Sequence, residues 1–431
     1  MSQTFSSADI LLPQNTDLEK WSVIACDQFT SDPEYWNKVQ TFVGNEPSTL
    51  NLTLPEIYLN TPDVDRRICA INANMQKYLD SGIFHTYSNA MIYTKRIFSS
   101  GKTRTGIIGK LDLEDYSFEP GAQTPIRATE GTIVERIPPR VKIRQDAPLE
   151  FPHIMVLIDD PEQTVIEPIQ KREEDFETVY DFDLMQNGGH IYGKLLDERE
   201  IQRIQSALKQ LASPEILQQK YGLSNKAPLV YAVGDGNHSL ATAKTCYENL
   251  KKKHSPSDLI NHPARYALVE LVNLHDPGLV FEPIHRVVFQ TNPEEIMLEL
   301  THYFKDQISF CDTKLPATET DHRFTVLLDG QTHFVSIKNP AHNLTVGTVQ
   351  EFIDHCLKEI GGSVDYIHED YAVAKLVAEN PESTIGFLLP VPQKSELFKT
   401  VIVDGALPRK TFSMGHTEEK RYYLEGRKIK E

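Results

Sequence analysis

The stretch from Leu229 to Lys253 constrains the chain more than any other. An apolar run, Leu229 to Val233, passes through Gly234-Asp235-Gly236-Asn237-His238 into a helical pattern from Leu240 to Lys253. A strand that empties through two glycines into a helix lets backbone N–H groups come close to an anion, and the helix N-terminus adds unpaired donors and about half a positive charge. Such a corner suits phosphate. Asp235 could hold Mg2+ or act as a base, and His238 could donate to phosphate oxygens or move a proton. A plainer reading is also open, in which Gly234 and Gly236 only make a tight turn and Asn237 or Ser239 caps the helix. The pattern is neither the dinucleotide fingerprint nor the Walker loop.

At 431 residues the chain exceeds one ordinary core, and at about 150 residues per domain it is expected to pack as two or three units. A formal charge of -17 repels polyanions, so no nucleic-acid partner and no anionic membrane surface is expected. The first residues carry no basic region of the kind that opens a secretory signal, and no apolar run reaches the roughly 18 residues of a membrane span. Cys26, Cys69, Cys246, Cys311 and Cys356 are odd in number and scattered, which fits reduced thiols in a cytoplasmic protein and offers no structural metal site.

Along the chain, Asp32-Pro33-Glu34 opens a helix through Val39, and Val64 to Tyr78 has helical spacing. Ala90 to Tyr93 and Arg104 to Gly109 alternate as strands. Residues 117–152, with Pro138-Pro139 in the middle, read as an ordered loop or crossover. His153 to Ile158 reads as a buried strand, Leu195 to Leu211 as a helix, and Tyr266 to Val272 as another strand. Leu279 to Phe289 looks extended through His285-Arg286. From about 291 the texture changes to a helix (Glu294 to Phe304), a hairpin (Phe324 to Ile337 about Asp329-Gly330), two helices (Val349 to Ile360, Tyr371 to Glu379) and a strand (Ser383 to Leu389). The expected organisation is an α/β to α+β chain: a main unit over 1–290, a smaller α+β unit over 291–400, and a tail, 401–431, that folds back on the core.

Asp235-Gly236-Asn237-His238 followed by an Ala-rich helix resembles the Asp-Gly-His-His-Arg motif of the bacterial family called domain of unknown function 1015 (DUF1015). More distantly it is similar to the Asp-Gly-x-His-Arg corner of the ParB and sulfiredoxin superfamily. Trp21 to Trp36, Arg127 to Glu130, Phe151 to Asp160, Asp276 to Val288 and Leu407 to Phe412 resemble that family's blocks, in its order. The resemblance implies a ParB/sulfiredoxin-like mixed-sheet core that binds ATP, ADP or CTP phosphates, and a related archaeal group phosphorylates free serine. The function expected on that basis is a nucleotide-dependent phosphotransferase using ATP or ADP with Mg2+ on a small hydroxylated, serine-like metabolite. A nucleotide-binding regulator without transfer chemistry is the alternative.

One position departs from the motif: Ser239 stands where the family has Arg. If that Arg clamps a phosphate, either Lys244, Arg286 or Arg409 takes its place or the affinity is weaker. His285 and Arg286 leave one strand on opposite faces, so one could point at phosphate while the other packs. Glu130, three positions after Arg127, could be the base that activates a hydroxyl acceptor, although such pairs are usually solvated. Arg409 and Lys410 form a short basic patch assigned to phosphate, and Asp27 and Arg127 are assigned to substrate. Cys26 has no neighbour in sequence that would activate its thiol.

Overall fold

A computed structural model describes residues 3–223, 226–313 and 320–430. The protein is a mixed α/β structure made of two compact units. The first joins Met1–Leu279 to His416–Glu431, and the second is Val280–Gly415.

A ten-stranded sheet forms the first unit. Its central strands run in the order Ile92–Ile97, Thr103–Asp112, Tyr266–Asn273, Met155–Ile158, Tyr231–Asp235 and Ile126–Ala128. Met155–Ile158 is parallel to Tyr266–Asn273 and antiparallel to Tyr231–Asp235, which in turn runs parallel to Ile126–Ala128. Side chains alternate across the pleat, so neighbours in sequence enter different cores. Ile107, Val156, Val233, Val269 and Leu271 pack with Leu240, Ala243 and Tyr247 of the helix Asn237–Lys251 on one face. Ile92, Ile108 and Leu268 pack on the other face with Trp21, Trp36, Phe151, Tyr422 and Tyr423. Cover on both faces explains why these strands read as continuous apolar runs.

The helices Pro33–Val43 and Val64–Asp80 form where their spacing predicts. Asp32 caps the first, its carboxylate accepting from the Tyr35 N–H at 3.0 Å. The stretch 117–152 is more regular than expected: it holds the strand Ile126–Ala128 and the helix Ile137–Arg144. Pro138 and Pro139 sit in the first helical turn, where a missing N–H costs no intrahelical bond. A hairpin over Glu177–Leu184 and Gly189–Leu195 extends the sheet edge, and its second strand takes Leu195 from the expected helix, which starts at Glu198.

Residues 416–430 run as a strap across the first unit. Tyr422–Tyr423 pairs with Val23–Ile24, Arg427–Lys428 pairs with Leu149–Glu150, and Gly426 bridges to Leu11. Trp21 Nε1 donates to the Leu424 carbonyl at 3.0 Å.

The second unit is an antiparallel six-stranded sheet, in the order Ile308–Cys311, Gln331–Lys338, Asp321–Leu328, Thr384–Leu388, His285–Phe289 and Ser363–Ile367. Asp329 and Gly330 both take positive φ, 43° and 67°, as a primed hairpin turn requires. Among the described residues, no helix is long and apolar enough to cross a membrane.

Candidate phosphate corner

The strand Tyr231–Asp235 ends in Gly236, which takes φ 80° and ψ 26° and leads into the helix Asn237–Lys251. Only glycine adopts that left-handed conformation without strain, and a Cβ here would stand 3.0 Å from the Cα of Ile154. The corner is therefore pressed against the start of the neighbouring strand. The Thr129 hydroxyl donates to the Val233 carbonyl at 2.6 Å, and Asn237 Nδ2 reaches Thr129 Oγ1 at 3.5 Å. Glu130 is the next residue after Thr129, so the Arg127–Glu130 block runs beside the corner. His238 is the second helical residue, half-buried, and its carbonyl accepts from the Thr242 hydroxyl at 2.7 Å.

Asp235 is held on both oxygens. Oδ1 accepts from the Gly236 N–H at 2.9 Å, and Oδ2 meets the Lys420 ammonium at 3.1 Å. Burial alone would raise this carboxyl, but Lys420, His153 and the Gly236 N–H outweigh it and hold Asp235 below the ordinary carboxylate range.

A second cluster centres on His153, whose side chain is 8% exposed. Its Nδ1 lies 3.0 Å from the Tyr423 hydroxyl, and that hydroxyl accepts the Cys26 N–H at 3.1 Å. Nε2 faces Ser239 Oγ at 3.3 Å and Asp27 Oδ2 at 3.7 Å. The geometry thus joins a strand start, a helix N-terminus, the loop of Asp27 and the strap. Burial, with Asp27 beside it, pushes the Cys26 thiol up to about 12, which disfavours the nucleophilic thiolate.

Other expected site residues are engaged elsewhere. Arg127 is buried and spends its guanidinium on the carbonyls of Thr124, Ala227 and Pro228 at 2.8, 2.8 and 3.3 Å. Lys244 donates to the Leu113 carbonyl and pairs with Glu248, at 2.8 and 2.9 Å. His285, Arg286, Arg409 and Lys410 belong to the second unit. There His285 Nδ1 accepts from the Leu389 N–H at 3.0 Å and Nε2 meets Asp370 at 2.5 Å. Both residues of the His285-Arg286 pair pack: His285 is 1% exposed and Arg286 is fully buried. Arg286 bonds Gln350 Oε1 and the Arg409 carbonyl, each at 3.1 Å. Arg409 and Lys410 are exposed.

His153, Lys420 and Tyr423 were not expected at the corner. His153 opens an apolar run, so its position favours a core role. Lys420 is 185 residues from Asp235, a separation over which no local pattern operates.

A sequence model of the family described as protein of unknown function (DUF1015) matches residues 9–356. No curated protein matches the chain. Among solved structures, a free serine kinase in complex with AMP is 10% identical, covering 74% of this chain and 91% of its own, with a TM-score of 0.37. SbnI with a C-terminal truncation, from Staphylococcus aureus, is 10% identical over 72% of this chain and 83% of its own, with a TM-score of 0.34. A conserved hypothetical protein from Pyrococcus furiosus is 14% identical over 52% and 88%, with a TM-score of 0.30. At these scores the likenesses carry no argument of their own.

Proposed function

Given that the chain belongs to the family described as protein of unknown function (DUF1015), we propose that it is a nucleotide-dependent phosphotransferase acting on a small hydroxylated metabolite. The supporting observation is the corner: a glycine in left-handed conformation opens a helix N-terminus beside Asp235, Lys420, His153 and Ser239. Phosphoryl transfer asks a protein chiefly to position groups and stabilise charge. On this reading the core is ParB/sulfiredoxin-like and takes ATP or ADP. Gly234 and Gly236 shape the turn, and Asn237 and Ser239 meet phosphate through backbone N–H groups and short polar side chains. Glu130 and His238 handle protons, Asp235 holds the Lys420 ammonium at the corner, and Asp27 with His153 faces the acceptor hydroxyl. A serine-like acceptor is the first to test, as the motif's resemblance implies.

No dedicated all-protein cage for Mg2+ is present among the described residues. Both Asp235 oxygens are engaged, and no group of three or more His, Cys, Asp or Glu residues suited to a metal occurs among the described residues. Any Mg2+ would arrive with the nucleotide phosphates.

The test is incubation with ATP or ADP, Mg2+ and serine, then a panel of hydroxylated acceptors, with the phosphorylated product followed by 31P NMR. No turnover with either donor across the panel sinks the reading. The lock on Asp235 and the serine at 239 favour a second one, a nucleotide-binding regulator without transfer. Thermal stabilisation by a nucleotide that is never consumed would decide for it.

A further inference from the structure

The strap that brings Lys420 to the corner is fixed by buried charge. Arg96 donates through Nη1 to the Lys420 carbonyl and through Nη2 to the Glu418 carbonyl, each at 2.5 Å. Its guanidinium lies 4.9 Å from the ring centres of both Phe98 and Tyr422. Arg104 donates to the Glu419 carbonyl at 3.0 Å. On the other side of Lys420, Arg421 joins Glu270 at 2.6 Å and Glu425 at 2.5 Å, all three at most 5% exposed. The backbone of 418–421 is thereby pinned from both sides, and an otherwise flexible lysine stem starts from a rigid base.

We propose that Lys420 is the cation that receives phosphate charge at the corner. This rests on the phosphate reading of that corner and adds to it the residue that supplies its charge. Asp235 Oδ2 holds the Lys420 ammonium while Oδ1 takes the Gly236 N–H, so a full positive charge is fixed at the helix entrance. An ammonium has three donors, and the Asp235 bond uses one of them. Of the other cations weighed for phosphate, Arg127 and Lys244 are committed to carbonyls, and Arg421 on the strap is committed to two buried carboxylates. Asp235 on this view is the positioning residue that aims the lysine, which also explains why a carboxylate stands where an anion is to bind.

The competing role is structural, with Lys420 serving only to neutralise Asp235. Binding of ATP, ADP, pyrophosphate and adenosine to the full chain, measured by calorimetry, separates the two. Lys420→Met is expected to weaken the three phosphate compounds by at least about tenfold, to flatten the salt dependence of their binding, and to leave adenosine unchanged. Lys420→Arg, which keeps the charge, is expected to stay close to the parent. The decisive arm is the double variant Asp235→Asn with Lys420→Met, checked for folding by its thermal transition. Phosphate binding that stays weak supports the proposal, whereas recovery to parental affinity shows that Lys420 serves only Asp235 and overturns it. If the parent protein binds none of the phosphate compounds, the phosphate reading itself fails. If the parent binds them and Lys420→Met binds equally well, only the assignment of Lys420 falls.

Discussion

Asp235 owes its charge to its neighbours. Burial opposes ionisation, and Lys420, His153 and the Gly236 N–H override it, so the folded-state pKa lies below the unfolded one. A depressed carboxyl contributes stability above the unfolded value and loses it as pH falls through the folded value. The window is therefore acidic, below about pH 4. Asp235→Asn is expected to cost roughly 1 kcal/mol at neutral pH, the scale of a partly exposed ion pair. Denaturant titrations of both proteins from neutral to acid pH check this: the gap should close in acid, and a constant gap would show that the Lys420 pair does not set the charge. The aspartate and its glycine were readable from Gly-Asp-Gly-Asn-His, because a turn that needs positive φ declares itself locally. Its partner Lys420 was not, since it lies 185 residues away in sequence.

Among the elements, the strap depends most on long-range charge. Burial by itself would raise the Glu270 carboxyl, but Arg104 and Arg421 outweigh it and keep the group ionised. Removing one partner of such a buried set leaves an uncompensated charge, so Arg421→Met is expected to cost about 3–5 kcal/mol. Hydrogen exchange should then rise first over 416–430, and uniform protection would show that the apolar contacts of Tyr422 and Tyr423 hold the strap unaided. Most helices and central strands were legible because their apolar periods run unbroken, as in Val64–Asp80 and Tyr266–Asn273. The hairpin Glu177–Leu184 with Gly189–Leu195 was missed, although Asn187-Gly188 marks its turn. Its first strand alternates charged with apolar residues and so lacks the continuous run by which the buried strands were recognised. The helix Ile137–Arg144 was hidden by Pro138-Pro139, a pair that forbids a helix interior and is tolerated in a first turn.

For the whole molecule, the chain leaves the first unit at Leu279, builds the second, and returns at His416. Truncation after Gly415 removes Lys420, Arg421 and Tyr423 from the first unit and no residue from the second. Differential exchange of the truncated and full chains should show loss of protection over Val23–Ile24 and Leu149–Glu150, which pair with the strap, while His285–Phe289 stays protected. Loss confined to the second unit would contradict this division. The same path sets an order of events during synthesis. At about 5–20 residues per second, the ribosome needs on the order of ten seconds to make the second unit before the strap emerges. A nascent chain therefore presents the Asp235 corner without its lysine throughout that interval, and the charged site is completed only after the second unit has been made.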